Sequence, residues 1–266
     1  YLRQLQQLKQ QLNTLNIPLI IQHIPLWKDV GNFFTELLQR INIENVYANI
    51  ELGVNELKRD HDVQKVLNQQ QKELILFHDR TLFPVRSIRN QSNLPYQVFG
   101  AFKKTCYQRL QHGLPQCYPL PDAQQPIVED FSFFNQTNLT ILQQAYASTL
   151  EQNMIDHWPA GETYALDLLD EFVRKRLNHY KQARDFPAQV GTSQLSAYLN
   201  IGILSIRQCI QALFRQQHGD FVIQSESQQV WLDELLWREF YQHILFDFPR
   251  VSKHLPFKAS TQSINW

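Results

Sequence analysis

The chain encodes an α/β half with a parallel sheet followed by an all-α half, and three observations predict this. Over the first 85 positions, short apolar runs alternate with amphipathic stretches of 12 to 18 residues, the pattern of a parallel sheet with right-handed helical crossovers. Pro95, Pro115, Pro119, Pro121 and Pro126 then punctuate a long connection running from about 86 to 158. Beyond Pro159 only helical periodicity is left, broken by short Gly and Pro interruptions.

Element by element, Leu2, Leu5, Leu8, Leu12 and Leu15 form one apolar stripe, that of a surface helix lying on a sheet. Residues 17–22 (IPLIIQ) read as a buried strand, with Pro18 near its start where a missing N–H costs little. Val30, Phe33, Phe34, Leu37, Leu38 and Ile41 restore helical spacing, and residues 45–51 are a second strand. A polar helix follows over 54–70 with Val63, Val66 and Leu67 inward, then a third strand at 74–77. Opening on a helix, such a pattern is expected to have been cut from a preceding strand. One helix spans 97–111 within the connection, and further helices are predicted at 162–182, 192–200, 205–217 and 228–246. Ligands of parallel sheets sit at the carboxyl ends of strands, here around Ile50 to Glu56, where Gly53 is the one glycine and excludes a Gly-rich dinucleotide loop.

The 266 residues, 43% of them apolar, suffice for two cores. No run approaches the roughly 20 apolar residues of a membrane span and the first residues do not resemble a signal peptide, so the cytoplasm is the expected compartment. Cys106, Cys117 and Cys209 lie far apart without a C-x-x-C pair and indicate neither a disulfide framework nor a zinc site. The 25 basic residues are balanced by 25 acidic ones, so an anionic partner must be met by a local patch. Arg174, Lys175, Arg176, Lys181 and Arg184, with no acidic residue between them, are the candidate, although such a run alone is more often a solvated helix face.

On the helix of residues 230–241, at about 100° per residue, Trp231, Glu234, Trp237, Arg238 and Tyr241 fall within an arc of roughly 120°. Together they can stack a flat ring, accept a hydrogen bond from it and grip a phosphate, which suits a nucleotide-like ligand. A plainer reading packs Trp231, Leu235, Phe240 and Ile244 in a core and leaves Glu234 and Arg238 as a solvated i,i+4 pair. Likewise Gly191 to Ser196 precedes a helix, so its N–H groups and the hydroxyls of Thr192, Ser193 and Ser196 can converge on an anion, or Thr192 or Ser193 can simply be an N-cap.

Four segments, WPAGE at 158–162, YKQARDFP at 180–187, GTSQLSA at 191–197 and WLDELLWREFY at 231–241, resemble the DNA photolyase and cryptochrome family in kind and order. Val98, Phe99 and Phe102, Asn55 with Glu56, and KHLPF at 253–257 also match, and the likeness is greatest to bacterial class I cyclobutane pyrimidine dimer photolyases. The chain departs from the family pattern at Gly100 and Ala101, where Thr-Pro is usual, and at Ile206, where Pro is usual.

The resemblance implies an α/β, Rossmann-like antenna domain over 1–85, an interdomain linker over 86–158 and an all-α FAD-binding domain over 159–266. It also implies that the family's first strand and last third lie outside these residues, so that the isolated piece is expected to be inactive. Tyr180, Thr192, Ser193, Gln194, Leu195, Ser196, Trp231 and Arg238 match flavin contacts. Arg184, Arg238 and Tyr241 match DNA contacts. Glu234 and Trp237 match the acid that hydrogen-bonds a flipped pyrimidine dimer and the wall it stacks on; to donate that bond, Glu234 would need a buried, apolar setting. Asn55, Glu56 and Lys253 match a 5,10-methenyltetrahydrofolate antenna site, and Trp266 the solvent-side tryptophan of an electron chain. The activity so implied is repair by a monomer of DNA containing pyrimidine dimers, in which excited, reduced FAD lends an electron that opens the cyclobutane ring and then returns. The alternatives are a cryptochrome-type photoreceptor without repair and a non-enzymatic module with an exposed apolar face.

Overall fold

The computed structural model describes residues 1–127, 131, 142, 144 and 156–263. Helix α1 (Leu2–Thr14) is followed by α2 (Val30–Arg40), strand β1 (Asn45–Asn49), α3 (Val54–Gln69) and strand β2 (Glu73–Phe77). The two strands pair in parallel, Asn45 opposite Glu73 and Asn49 opposite Phe77, with α3 as the crossover between them. Gly53 is the N-cap of helix α3. A Cβ there would lie 2.1 Å from the Glu56 carboxylate, which folds back over the first turn. Val63 and Leu67 turn inward from α3 and Leu37 from α2, as their spacing predicts.

The strand predicted at 17–22 does not form, and β1 with β2 is the only ladder among the described residues. The segment leaves α1 through Asn16 at φ 57° and runs on half-buried. An apolar run becomes a parallel strand only where a neighbour accepts its N–H groups, and apolar content alone cannot supply that neighbour.

In the second half, α4 (Phe99–Gln111) lies against a helical stack. The predicted helix at 162–182 is instead four consecutive pieces: α5 (Glu162–Glu171), a widened π turn (Phe172–Arg176), a 3₁₀ turn (Leu177–His179) and α6 (Tyr180–Ala183). Helix α7 (Ser196–Ile201) begins four residues later than predicted, because Gln194 adopts φ 56°, which a right-handed helix cannot contain. Helix α8 (Ile206–Leu213) opens on a capping box between Ser205 and Gln208. Ile206 is its first helical residue, a position that proline also suits. Helix α9 (Glu226–Asp247) is capped by Ser225, which accepts from the Gln228 N–H at 3.1 Å. It buries Trp231, Leu232, Leu235, Leu236, Phe240 and Ile244 against Phe102, Cys106 and Leu110 of α4 and against Phe172. The Cys106 and Cys209 thiols are free within this core, where burial pushes the Cys209 thiol up to about 12.

Polar contacts join the two halves at the exit of β2. Arg207 of α8 donates to the carbonyl of His78 at 2.6 Å and to that of Asp79 at 3.1 Å. Arg238 donates to the Arg80 carbonyl at 2.9 Å, while the Glu239 carboxylate accepts from the N–H groups of Leu82 at 2.7 Å and Phe83 at 2.9 Å. Farther along α9, Arg89 forms a bidentate pair with Asp247, both bonds 2.6 Å. No helix among the described residues is long and apolar enough to cross a membrane.

Candidate functional site

Helix α9 presents Glu234, Trp237 and Tyr241 on a face that is at least partly open to solvent. Arg184, just past α6, donates from Nη1 to Glu234 Oε1 at 2.7 Å, and its guanidinium lies 5.5 Å from the Tyr180 ring centroid. The two partners are 30% and 39% exposed, so the pair is accessible to a ligand. Trp237 stacks face to face on Phe99, centroids 3.7 Å apart and planes 13° apart, and stacks on Tyr241 at 5.6 Å and 25°. Phe99 is held there because Lys103 and Tyr107, farther along α4, both donate to Asp233 of α9, at 2.9 and 2.7 Å.

The predicted stripe does not survive as one surface. Trp231 is 2% exposed and packs on Phe172, whose ring also meets Tyr180 edge-on, so both expected flavin aromatics belong to a closed cluster. Arg238 donates to the carbonyls of Arg80 and Leu199, at 2.9 and 3.3 Å, and burial lowers the pKa of its guanidinium. Its fork is thus engaged with backbone rather than held open for a phosphate. Glu234 differs from expectation as well: in place of a buried apolar setting it has a half-exposed one and acts as an acceptor. A shared arc on one helix says nothing about what the neighbouring elements place opposite each residue.

The loop from Gly191 to Ser196 runs back against α6, and a Cβ on Gly191 would lie 2.5 Å from that of Ala183. Leu195 is 1% exposed and serves as the N-cap of α7 with no side-chain cap bond, so neither Thr192 nor Ser193 caps the helix. The backbone N–H groups of Thr192 through Ser196 donate to no carbonyl among the described residues. Arg176 donates from Nη1 to the Thr192 carbonyl at 3.0 Å, and its Nε is a buried donor with no partner among the described residues. A run of N–H groups without a carbonyl partner among the described residues, next to a guanidinium N–H likewise unpartnered among them, is a donor set for an anion.

The basic run is largely compensated by acids outside it. Arg174 pairs with Asp170 at 2.7 Å, Lys175 with Glu171 at 3.8 Å, and Lys181 with Glu226. Absence of acids between the cations did not reveal this, since the partners come from the preceding helical turn and from α9.

Of the expected antenna residues, Asn55 and Lys253 are exposed and Glu56 is partly so. Their elements meet where the Val54 N–H donates to Ser252 Oγ at 3.2 Å. A separate cavity of about 390 Å³ at the carboxyl ends of the strands is lined by Glu51, Arg80, Asn200 and Arg238, among others. Its charges are matched internally, Glu51 accepting from Arg59 at 3.0 Å and from Arg80 at 3.2 Å. Trp266 lies outside the described residues.

Residues 1–121 match the DNA photolyase family. The deoxyribodipyrimidine photo-lyase of Escherichia coli (strain K12) is 33% identical over 271 residues, covering 99% of this chain and 55% of that protein. The chain belongs to the DNA photolyase family. It spans about half the length of the curated relatives it matches. Among solved structures, the class III photolyase of Agrobacterium tumefaciens superposes with a TM-score of 0.70 at 23% identity, over 89% of this chain and 47% of that one. The archaeal photolyase of Sulfolobus tokodaii, solved with two FAD molecules, gives 0.70 at 19% identity, over 98% and 51%. These likenesses establish the photolyase fold, an α/β domain followed by a helical one. Sequence reading missed three members of the site that the fold brings in: Phe99 behind Trp237, Asp233 anchoring α4, and the orphan Nε of Arg176. Phe99 and Arg176 carried a signal, one in a family-like segment and the other in the basic run, but neither signal specified a role.

Proposed function

We propose that this chain is part of a light-dependent lyase that repairs cyclobutane pyrimidine dimers in DNA, using FAD, as a cytoplasmic monomer. The observation that carries the reading is the convergence of Arg184 with Glu234, Trp237 and Tyr241, distant in sequence, on one accessible surface that offers a phosphate donor, a hydrogen-bond acceptor and stacked rings. The relative's name and its 33% identity across nearly the whole chain support the same activity. Residues 1–85 would form the antenna domain, 86–158 the linker and 159–266 the flavin-binding domain.

The chain's own residues fit a flavin diphosphate. Thr192, Ser193, Gln194, Leu195 and Ser196 supply unspent N–H groups, and Arg176 the unspent Nε. Tyr180 and Trp231, also matched to flavin contacts, lie in the closed cluster with Phe172. When bound, the reduced flavin supplies the light-driven electron. Arg184 holds the DNA backbone, Trp237 and Tyr241 form the aromatic wall on which an extruded dimer rests, and Glu234 accepts a pyrimidine N–H. Asn55, Glu56 and Lys253, gathered at the Val54–Ser252 contact, are the proposed site of a methenyltetrahydrofolate antenna.

The test is loss of dimers from irradiated DNA, quantified by chromatography with the complete, FAD-loaded protein of which this chain is part, in light and in darkness. Light-dependent loss is expected, and Glu234→Ala lowers the yield per absorbed photon. A protein with a normal flavin spectrum that removes no dimers would be a photoreceptor instead. In parallel, Asn55→Ala with Glu56→Ala removes folate absorbance and spares repair by directly excited flavin; equal loss at all wavelengths contradicts the antenna assignment.

A further inference from the structure

The Arg184–Glu234 pair has a consequence for specificity. Arg184 is the proposed backbone grip and Glu234 the proposed dimer contact, yet each engages the other at 2.7 Å. Other cations of the same run pair differently. Arg174 and Lys175 bond acids one turn back on their own helical run, and Lys181 bonds Glu226 at the exposed start of α9. Glu234 alone among these acids lies one turn from Trp237, on the aromatic face. The contact remains exchangeable, with side chains 30% and 39% exposed and the second acid near Arg184, Asp185, at 3.6 Å and 78% exposed.

We propose that Glu234 makes the DNA grip of this protein conditional on a lesion by occupying Arg184 until a pyrimidine dimer takes Glu234 instead. A guanidinium binds carboxylate and phosphate by the same charge-assisted bonds, so a DNA phosphate competes directly with Glu234. Undamaged backbone supplies the phosphate but nothing for Glu234, and it leaves the freed carboxylate beside a second negative charge. An extruded dimer supplies an N–H donor to Glu234 at the moment the phosphate takes Arg184, so each side chain exchanges one partner for another. Discrimination against undamaged DNA thus arises partly from the contact that must be broken. An ion pair this exposed sets the scale of the effect at about two- to fivefold in affinity.

The inference rests on the lesion reading, and the two are separable by experiment. Binding of one fluorescent oligonucleotide, undamaged or with a single thymine dimer, is measured by anisotropy for FAD-loaded wild type, Glu234→Gln, Arg184→Ala and the double variant. Glu234→Gln is expected to tighten undamaged binding about two- to fivefold while lowering the preference for the dimer. In the Arg184→Ala background the same substitution is expected to give no gain, because there is no guanidinium to release. A gain that persists without Arg184 is a bulk charge effect and overturns the inference, as does undamaged binding that stays the same or weakens in Glu234→Gln. Full dimer preference in Trp237→Ala would instead remove the lesion reading itself.

Discussion

Glu234 and Glu239 lie five residues apart on α9 and sit in opposite environments. Glu239 is fully buried, and its two oxygens accept from the N–H groups of Leu82 and Phe83 and from Nε2 of His243, at 2.7, 2.9 and 3.2 Å. Glu234 is 39% exposed and engages Arg184 at 2.7 Å. A carboxylate sealed from water with three donors cannot release one of them without stranding a buried polar group, so it fixes structure. A half-exposed carboxylate loses little when its partner leaves, because water or a ligand replaces it. The same side chain on the same helix therefore serves as a permanent joint between domains in one place and as an exchangeable contact in the other.

The strongest way to break this comparison is Glu239→Ala. It leaves a buried N–H donor at Leu82 and a partly buried one at Phe83 without their acceptor, and a destabilisation of roughly 2–4 kcal/mol is expected from urea unfolding followed by circular dichroism. Glu239→Gln retains one acceptor oxygen and should fall between the two. His243 adds to the cost: its Nε2 donates to Glu239, while its Nδ1 is a buried atom with no partner among the described residues, so the Glu239 bond is the hydrogen bond these residues give the ring. If Glu239→Ala costs less than about 1 kcal/mol, the joint is not what holds residues 80–83, and burial has failed as the criterion.

An intermediate effect is expected at Phe99, which belongs to the rigid side through α4 and touches the exchangeable side through Trp237. Removing either ring in Phe99→Ala or Trp237→Ala removes the stack, so the double variant should lose less than the sum. A coupling energy of about 0.5–1.5 kcal/mol is expected from the unfolding free energies of the cycle. Additive losses would mean that the 3.7 Å stack contributes no interaction of its own and that Trp237 keeps its orientation without help from α4.

Much of the fold could be read locally. The stripes that predict α1, α2, α3 and α4, and the apolar runs that predict β1 and β2, depend on neighbours within one element. What failed depended on distant partners or on single dihedral angles. Residues 17–22 have strand composition but no ladder, and Gln194 carries a left-handed φ that no periodicity announces. The site divides in the same way. Helical spacing placed Glu234, Trp237 and Tyr241 together, but it could not show that Arg238 turns to the carbonyls of Arg80 and Leu199, residues 158 and 39 positions away. Nor could it show that Arg184 already has Glu234 as a partner, 50 positions on. The family-like segments named the participants, and only the packing of α4, α6 and α9 assigned them to joint or contact.

The smallest effect is expected at Glu234, and it sharpens the contrast most because it is a prediction of near-indifference. Glu234→Ala removes one exposed acceptor and strands no buried group, so it should change the unfolding free energy by less than about 1 kcal/mol. That small change should shrink further in 1 M sodium chloride, where the screening length falls to about 3 Å, whereas the cost of Glu239→Ala, set by buried hydrogen bonds, should stay nearly constant. Parallel urea titrations of both variants at low and high salt measure this. A salt-independent loss at Glu234 comparable to that at Glu239 would show that the Arg184 pair is part of the scaffold. It would then be too costly to open for DNA, and the distinction between the two carboxylates would collapse.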